Sequence, residues 1–281
     1  MKQKNNPLII LVVIITVFCF TGCNNQKKVS ETDDKYWNTL SNNVVLLYKQ
    51  GKIGEASKFA DEALKVAKRV YGNNDPKVAA SLNNIAEINR AQGNFAEAES
   101  LYKKALKIDE KVLGKNNINI AKDLNNLAVL YRTLKKLPEA ESLNKRALQI
   151  RENILGKEHP EVAISLSNLG VIYRVEGRYA EAEPLFKRAL AIREKAFGGE
   201  HPDIAISLNN LAEFYSAEGK YAQAEPLFKK SIQMLEKTLG NEHPNVAAVM
   251  KNLSVMYKNM GKNDLAQTFD KNAIAILSKK H

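Results

Sequence analysis

The stretch Pro160–His201, PEVAISLSNLGVIYRVEGRYAEAEPLFKRALAIREKAFGGEH, recurs along most of the chain with a period of 42 residues. Proline returns at Pro76, Pro160, Pro202 and Pro244, with Ile118 in the one missing place, and a degenerate unit precedes them at about Asp33–Asp75. Self-similarity at a fixed period marks a solenoid, because so short a unit buries its apolar face only against its neighbours. Within the unit, Val162, Leu166, Leu169, Ile172 and Tyr173 recur at spacings of three and four, the stripe of one amphipathic helix. A second stripe follows Gly177 and runs from Tyr179 through Ala182, Phe186 and Ala189 to Phe197. Glycine stands after each second helix, at Gly72, Gly114, Gly156, Gly198 and Gly240, and is expected to close it in the left-handed region. The proline then opens the next helix, where its missing N–H costs nothing.

Small residues recur where the two helices of a unit should meet: Ala98, Ala140, Ala182, Ala224 and Ala266, and two turns later Ala105, Ala147, Ala189, Ser231 and Ala273. They allow close approach of the helix axes, so a larger side chain there overpacks the contact. Leu169, Gly170, Tyr173, Gly177, Tyr179, Ala182, Phe186 and Ala189 resemble the tetratricopeptide repeat in order and spacing, as do Leu211, Ala212, Tyr215, Gly219, Tyr221, Ala224 and Phe228. The longer unit with L-N-N-L-A-x-x-Y and G-x-x-H-P is similar to the kinesin-light-chain variety. The resemblance spans about residues 34–281 and implies an all-α, right-handed superhelix of about six helix-turn-helix repeats. Their limits are about 34–75, 76–117, 118–159, 160–201, 202–243 and 244–281.

The N-terminus reads differently. Lys2 and Lys4 precede Leu8–Phe20, a 13-residue run broken only by Thr16 and too short to cross a bilayer comfortably. Phe20-Thr21-Gly22-Cys23 follows, and the whole resembles a bacterial lipoprotein signal, with residues 1–22 removed and Cys23 carrying the lipid; Phe20 departs from the usual leucine. The other readings are an uncleaved signal anchor and an ordinary signal peptide. Residues 23–33 then form the lipidated cysteine and a polar tether, drawn from Asn24–Asp34. The expected location is the bacterial cell envelope, lipid-anchored on a periplasmic or outer-membrane face.

Cys19 and Cys23 are the only cysteines, so the mature array has no thiol for a disulfide and rests on packing. The net charge is +11, and loss of Lys2 and Lys4 with the signal leaves +9. For an exported basic chain, anionic lipid, cell-wall polymer or an acidic polypeptide is a better expected partner than nucleic acid. Two irregularities mark the ends of the array. Val44, Val45 and Tyr48 hold the pattern one residue out of step before Gly51, and Asp270 replaces the bulky residue of Tyr102, Phe186 and Phe228, which predicts a wet outer face.

Little in the sequence carries chemistry. His159, His201 and His243 occupy one equivalent place before proline, one repeat apart, which suits a structural role in the inter-repeat turn. No H-x-x-x-H, C-x-x-C, G-x-S-x-G or glycine-rich phosphate loop occurs. Enzymatic activity, cofactor, metal and small-molecule substrate are therefore not expected. The acids near second-helix starts, such as Glu181 and Glu183, are accounted for by the helix dipole alone.

The repeated polar feature lies on the first helices. Asparagine recurs at Asn84, Asn126, Asn168, Asn210 and Asn252, with Asn43 in the shifted first repeat; Asn83, Asn125 and Asn209 precede three of them. In tetratricopeptide proteins the first helices line a concave groove, and this resemblance implies that the amides bind the backbone of a bound peptide. They can equally bond the adjoining repeat. Six residues on stand Arg90, Arg132 and Arg174, then Ser216 and Lys258, flanking the amide row and suited to carboxylates or phosphates; a solvated edge is the plain alternative. A separate basic row, including Lys103, Lys104, Lys145 and Arg146, should face outward on the second helices. The expected function is a membrane-anchored scaffold that binds a polypeptide of acidic character in its concave groove. The alternatives are a pilotin-like assembly factor for a membrane complex, and a structural lipoprotein that binds cell wall or anionic lipid.

Overall fold

The structure is a computed structural model and describes residues 30–278. Among these, all regular structure is helical: α1 (Glu31–Lys49), α2 (Ile53–Tyr71), α3 (Pro76–Ala91), α4 (Phe95–Leu113), α5 (Ile118–Thr133), α6 (Leu137–Leu155), α7 (Pro160–Val175), α8 (Tyr179–Phe197), α9 (Pro202–Ala217), α10 (Tyr221–Leu239), α11 (Pro244–Asn259) and α12 (Asn263–Ser278). Consecutive helices pair antiparallel into six units, and each second helix packs on the first helix of the next unit. The expected signal sequence and Cys23 lie outside the described residues.

Local chemistry explains the helix limits. Asp75, Asn117, His159, His201 and His243 are the N-caps of α3, α5, α7, α9 and α11, each accepting from the backbone N–H two residues on. Each histidine does so through Nδ1, at 3.1–3.2 Å, so the expected turn role is a capping role. The closing glycines differ from expectation. Gly72 has φ 82° and ψ 173°, and Gly240 has φ 89° and ψ 154°. That is not the left-handed helical well but a region essentially restricted to glycine, where an added Cβ is strained whatever space surrounds it. Within the pairs, Lys135 takes a positive φ of 59° at the place where other repeats carry glycine.

Two further expectations need correction. α1 starts at Glu31 behind the capping Ser30, whose Oγ accepts from Asp33 N, so the last residues assigned to the tether are helical. The first repeat is also in step: buried Trp37, Leu40 and Val44 stand 42 residues before buried Ala79, Leu82 and Ala86. The slip suggested by Tyr48 disappears because the burial pattern, and not the aromatic, keeps the register.

The expected alanines are at the contacts: Ala98, Ala140, Ala182 and Ala224 are fully buried. At Gly170 the approach is closer still, for a Cβ there would stand 2.8 Å from the Phe186 ring. Asp270 is exposed at the open end, as its charge predicts. Between repeats the glutamates hold more than the helix dipole. Glu99, Glu141, Glu183 and Glu225 each accept a 3.0 Å hydrogen bond from the tyrosine of the next repeat, Tyr131, Tyr173, Tyr215 and Tyr257. Each also pairs with a lysine one turn on, Lys103, Lys145, Lys187 and Lys229. These clasps were readable as two columns of residues with the same 42-residue period, 32 residues apart.

Each first helix brings its backbone against the first helix of the following repeat, from α1 with α3 to α9 with α11, whereas among the described residues successive second helices keep their backbones apart and meet only through long side chains such as Arg146 with Glu110. The stack is therefore tighter on the side of the first helices. That side is concave, and the asparagine and arginine rows lie along it.

Candidate binding groove

The amide row divides into two populations. Asn168 Nδ2 donates to Asn125 Oδ1 at 2.5 Å, and Asn252 Nδ2 donates to Asn209 Oδ1 at 3.0 Å and to Glu213 Oε1 at 2.8 Å. These two amides join adjacent repeats. Asn84, Asn126 and Asn210 make no such bond among the described residues. The cause is the residue in the preceding repeat: Asn125 and Asn209 offer an acceptor, Ser167 does not reach Asn210, and Asn83 turns away to donate to Asp123 Oδ1 at 2.6 Å. Ser167 is buried with its hydroxyl unpartnered.

The arginine row is as uneven. Arg90 grips Glu87 with two bonds, Nε to Oε2 at 2.9 Å and Nη2 to Oε1 at 2.5 Å, and the Tyr48 and Tyr102 hydroxyls donate to the same carboxylate. Burial alone would raise the Glu87 pKa, but these four donors offset it and the carboxyl sits below its usual range. Arg174 Nη2 reaches Glu213 Oε2 at 3.3 Å, and its Nε is buried without a partner. Arg132 has neither a hydrogen bond nor an ion pair among the described residues. Burial and the neighbouring Arg174 depress its pKa, only partly countered by Glu213. The acids of the row are Glu87 and Glu213; Val129 and Val171 stand in the equivalent places nearest Arg132.

Unmet donors open to a ligand thus gather in repeats three to five: the Asn126 amide, the Arg132 guanidinium and the Asn210 amide. Such a strip can accept carbonyl and carboxylate oxygens, since guanidinium and amide groups both donate in fixed directions. Arg174, Glu213 and Asn252 line a hollow of about 190 Å³ at its far end. No group of three or more His, Cys, Asp or Glu among the described residues is arranged to hold a metal ion.

Sequence reasoning passed over one polar site altogether. Asp109 and Asp123, each 3% exposed, face one another between α4 and α5 with Asp109 Oδ1 and Asp123 Oδ2 lacking a hydrogen-bond donor. Burial raises both carboxyls, Asp109 to about 6 and Asp123 to about 7, with the charge of Asp109 adding to the second.

The Tetratricopeptide repeat family model matches residues 38–111, 119–195, 161–237 and 203–279. No curated protein matches the chain. Among solved structures the chain is similar to BtubC (BKLC) from P. vanneervenii, at 27% identity and a TM-score of 0.60 over 72% of this chain and 81% of that one. It is similar to nearly identical TPR-like repeats assigned to a kinesin light chain of P. anserina, at 24% identity and a TM-score of 0.59 over 75% and 99%. It is also similar to a Rap protein complexed with competence and sporulation factor, at 18% identity and a TM-score of 0.63 over 87% and 76%. The last two likenesses show the fold alone. With six helix pairs among its described residues and its period matched along nearly the whole array, the chain belongs to the tetratricopeptide repeat family, whose solenoids are scaffolds for protein–protein interaction.

Proposed function

We propose that the array binds an extended, acid-bearing polypeptide segment along the concave face of repeats three to five, without catalysis of its own, and is held at the cell envelope by a lipid on Cys23. The observation that carries the groove reading is Arg132. A half-buried guanidinium loses hydration, and among the described residues Glu213 repays that loss only in part and from beyond bonding distance, so a ligand carboxylate between the free amides of Asn126 and Asn210 would complete the site. The anchor reading rests on the apolar run ending in Phe20-Thr21-Gly22-Cys23. The Rap protein complexed with competence and sporulation factor is an instance of a similar solenoid holding a ligand.

A photo-crosslinking residue in place of Val129, used on native membranes, should trap the partner. Asn126→Ala with Asn210→Ala should weaken capture at every salt concentration, each lost bond being worth about 0.5–1.5 kcal/mol. Arg132→Ala should weaken it mainly at low salt, because partly exposed charges are screened over about 8–10 Å near physiological ionic strength. Capture unchanged by both sets in a folded array would move the binding site off this face. Separately, Cys23→Ala should abolish uptake of labelled fatty acid, and unchanged uptake would remove the anchor.

A further inference from the structure

The convex side carries a ladder of ion pairs that turns repulsive at one junction. Arg146 Nη1 meets Glu110 Oε1 at 2.6 Å and, one repeat on, Arg188 Nη2 meets Glu152 Oε1 at 2.7 Å. Lys195 reaches Glu158 at 3.4 Å, and its counterpart Lys237 reaches Glu200 at 2.5 Å. Counting back in steps of 42 residues, the second pair is first replaced by the neutral Asn153 and Asn116. At the junction of the first two repeats the cations return as Lys104 and Lys111, but the acids are replaced by Lys68 and Asn74. Both substitutions act in the same direction. Lys68 puts a cation where the ladder needs an anion, and Asn74 removes the second anion.

The result is a hollow of about 440 Å³ between α2 and α4, rimmed by Lys68, Lys104, Lys107 and Lys111 and by the amides of Asn73 and Asn74. Its floor is apolar, with Val78 and Ile108 both buried. The four lysines are exposed and make no ion pair among the described residues. The acids close by in sequence are engaged elsewhere: Asp75 caps α3, Asp109 is buried against Asp123, and Glu110 is held by Arg146. Like charges are not gathered so closely at a folded junction without cost, and a polyanion relieves that repulsion.

We propose that this hollow docks on the phosphate-bearing headgroups of an anionic membrane. Ammonium groups on long flexible stems act as point charges and suit a diffuse layer of phosphates better than one fixed carboxylate, for which a guanidinium fork would be expected. The rim is open and broad and has no buried donor, which fits a surface rather than a single chelated anion. The site lies on the two N-terminal repeats, the end of the array next to Cys23. That proximity rests on the proposed lipid anchor, whereas the charge complementarity does not.

The test uses the chain from residue 23 onward carrying Cys23→Ser, so that neither a lipid nor the apolar run Leu8–Phe20 contributes, with vesicles of phosphatidylcholine alone or mixed with phosphatidylglycerol. Co-sedimentation should be at least about tenfold stronger with the anionic vesicles and should vanish near 1 M salt, where the screening length falls to about 3 Å. Lys68→Gln, Lys104→Gln, Lys107→Gln and Lys111→Gln together should remove the preference. Removing the same total charge through Lys103→Gln, Lys145→Gln, Lys187→Gln and Lys229→Gln should leave most of it, since those lysines are already paired. Equal binding to both vesicles, or equal loss from the two sets of substitutions, would overturn the site. Displacement by millimolar inorganic phosphate would also overturn it, as a discrete anion site. Failure of the anchor reads out differently, as fatty-acid uptake unaffected by Cys23→Ser in the full chain.

Discussion

The second and third repeats meet through two buried aspartates, Asp109 and Asp123, while the same two places one repeat on hold Arg151 and Ser165, and one further Arg193 and Ser207. Arg151 Nη1 donates to Ser165 Oγ at 2.5 Å and Arg193 Nη1 to Ser207 Oγ at 2.6 Å. At the last junction the places are filled by Leu235 and Val249, both buried. One backbone arrangement therefore accepts an acid pair, a cation with a hydroxyl, or two aliphatic side chains. What changes is the response to solution conditions. The arginines keep their charge at any ordinary pH although burial lowers their pKa. The aspartates can shed the penalty of burial by holding a proton.

The largest expected effect tests that contrast directly. The folded-state pKa values of Asp109 and Asp123 lie above the ordinary carboxylate value of 3.8, so the folded chain holds protons that the unfolded chain releases. Their contribution is then fully present below about pH 4 and is lost as pH rises through about 6 to 7. The groups nearest the pair are Asp75 and Glu110, which raise it further, and the Asn83 amide, which lowers Asp123. Asp109→Asn with Asp123→Asn should equal the parent in stability near pH 4 and exceed it by a few kcal/mol at pH 8, since a tenfold change in proton affinity is worth about 1.4 kcal/mol. Parallel stability curves from denaturant melts across that range would break the contrast. Because Glu87 and Glu141 have lowered pKa values and lose stability in acid, the difference between the two chains is the quantity to measure.

The buried alanine contact within a repeat recurs from copy to copy and supplies the next scale. Ala182→Leu and Ala224→Leu should each cost about 1–3 kcal/mol by overpacking a fully buried contact, at any pH. A cost confined to one repeat would mean that the helix pairs are not equivalent. At the arginine junctions, Ser165→Ala and Ser207→Ala should each cost about 0.5–1.5 kcal/mol with no pH dependence between about 5 and 8, roughly the worth of one hydrogen bond. A pH-dependent loss there would erase the difference from the aspartate junction. Lys187→Ala should change thermal or denaturant stability by less than about 0.5 kcal/mol, because its pair with Glu183 is solvated. A larger loss would mean that Lys187, and not only Tyr215, makes the clasp at Glu183 hold the repeats together.

How much of this was legible varied with the range of the interaction. Pro160, Gly177, Ala182 and Phe186 announce helix limits and contacts that depend on neighbours three or four residues away, so their reading carried over. The turn role of the histidines carried over too, and the structure made it a cap, since Nδ1 reaches only two residues ahead. Tyr48 misled the register because it stands one place beyond the tyrosine column of Tyr131 and Tyr173, in the place of Arg90, and bonds Glu87 from there. The amide row was half legible. Asn168 and Asn126 read alike in sequence, each with an asparagine 43 residues before it, yet one is bonded and the other free, because Asn125 accepts from Asn168 while Asn83 is drawn off to Asp123. Asp109 and Asp123 are 14 residues apart, a spacing with no meaning until a helix end and a turn bring them face to face.

The sequence by itself determined the helices, their period, their caps and the small residues at their crossings, because these follow from sterics and hydrogen bonds within a few residues, repeated until the pattern is unmistakable. Only the tertiary structure decided which polar groups are satisfied. Whether Arg132 finds an acid, whether Asn210 finds an amide, and whether Lys104 meets a glutamate or Lys68 depend on which side chains the curvature of the stack carries to within bonding distance. The energy of a buried or crowded charge is set by those meetings between repeats, over a few ångströms, and not by the residue's own place in its helix.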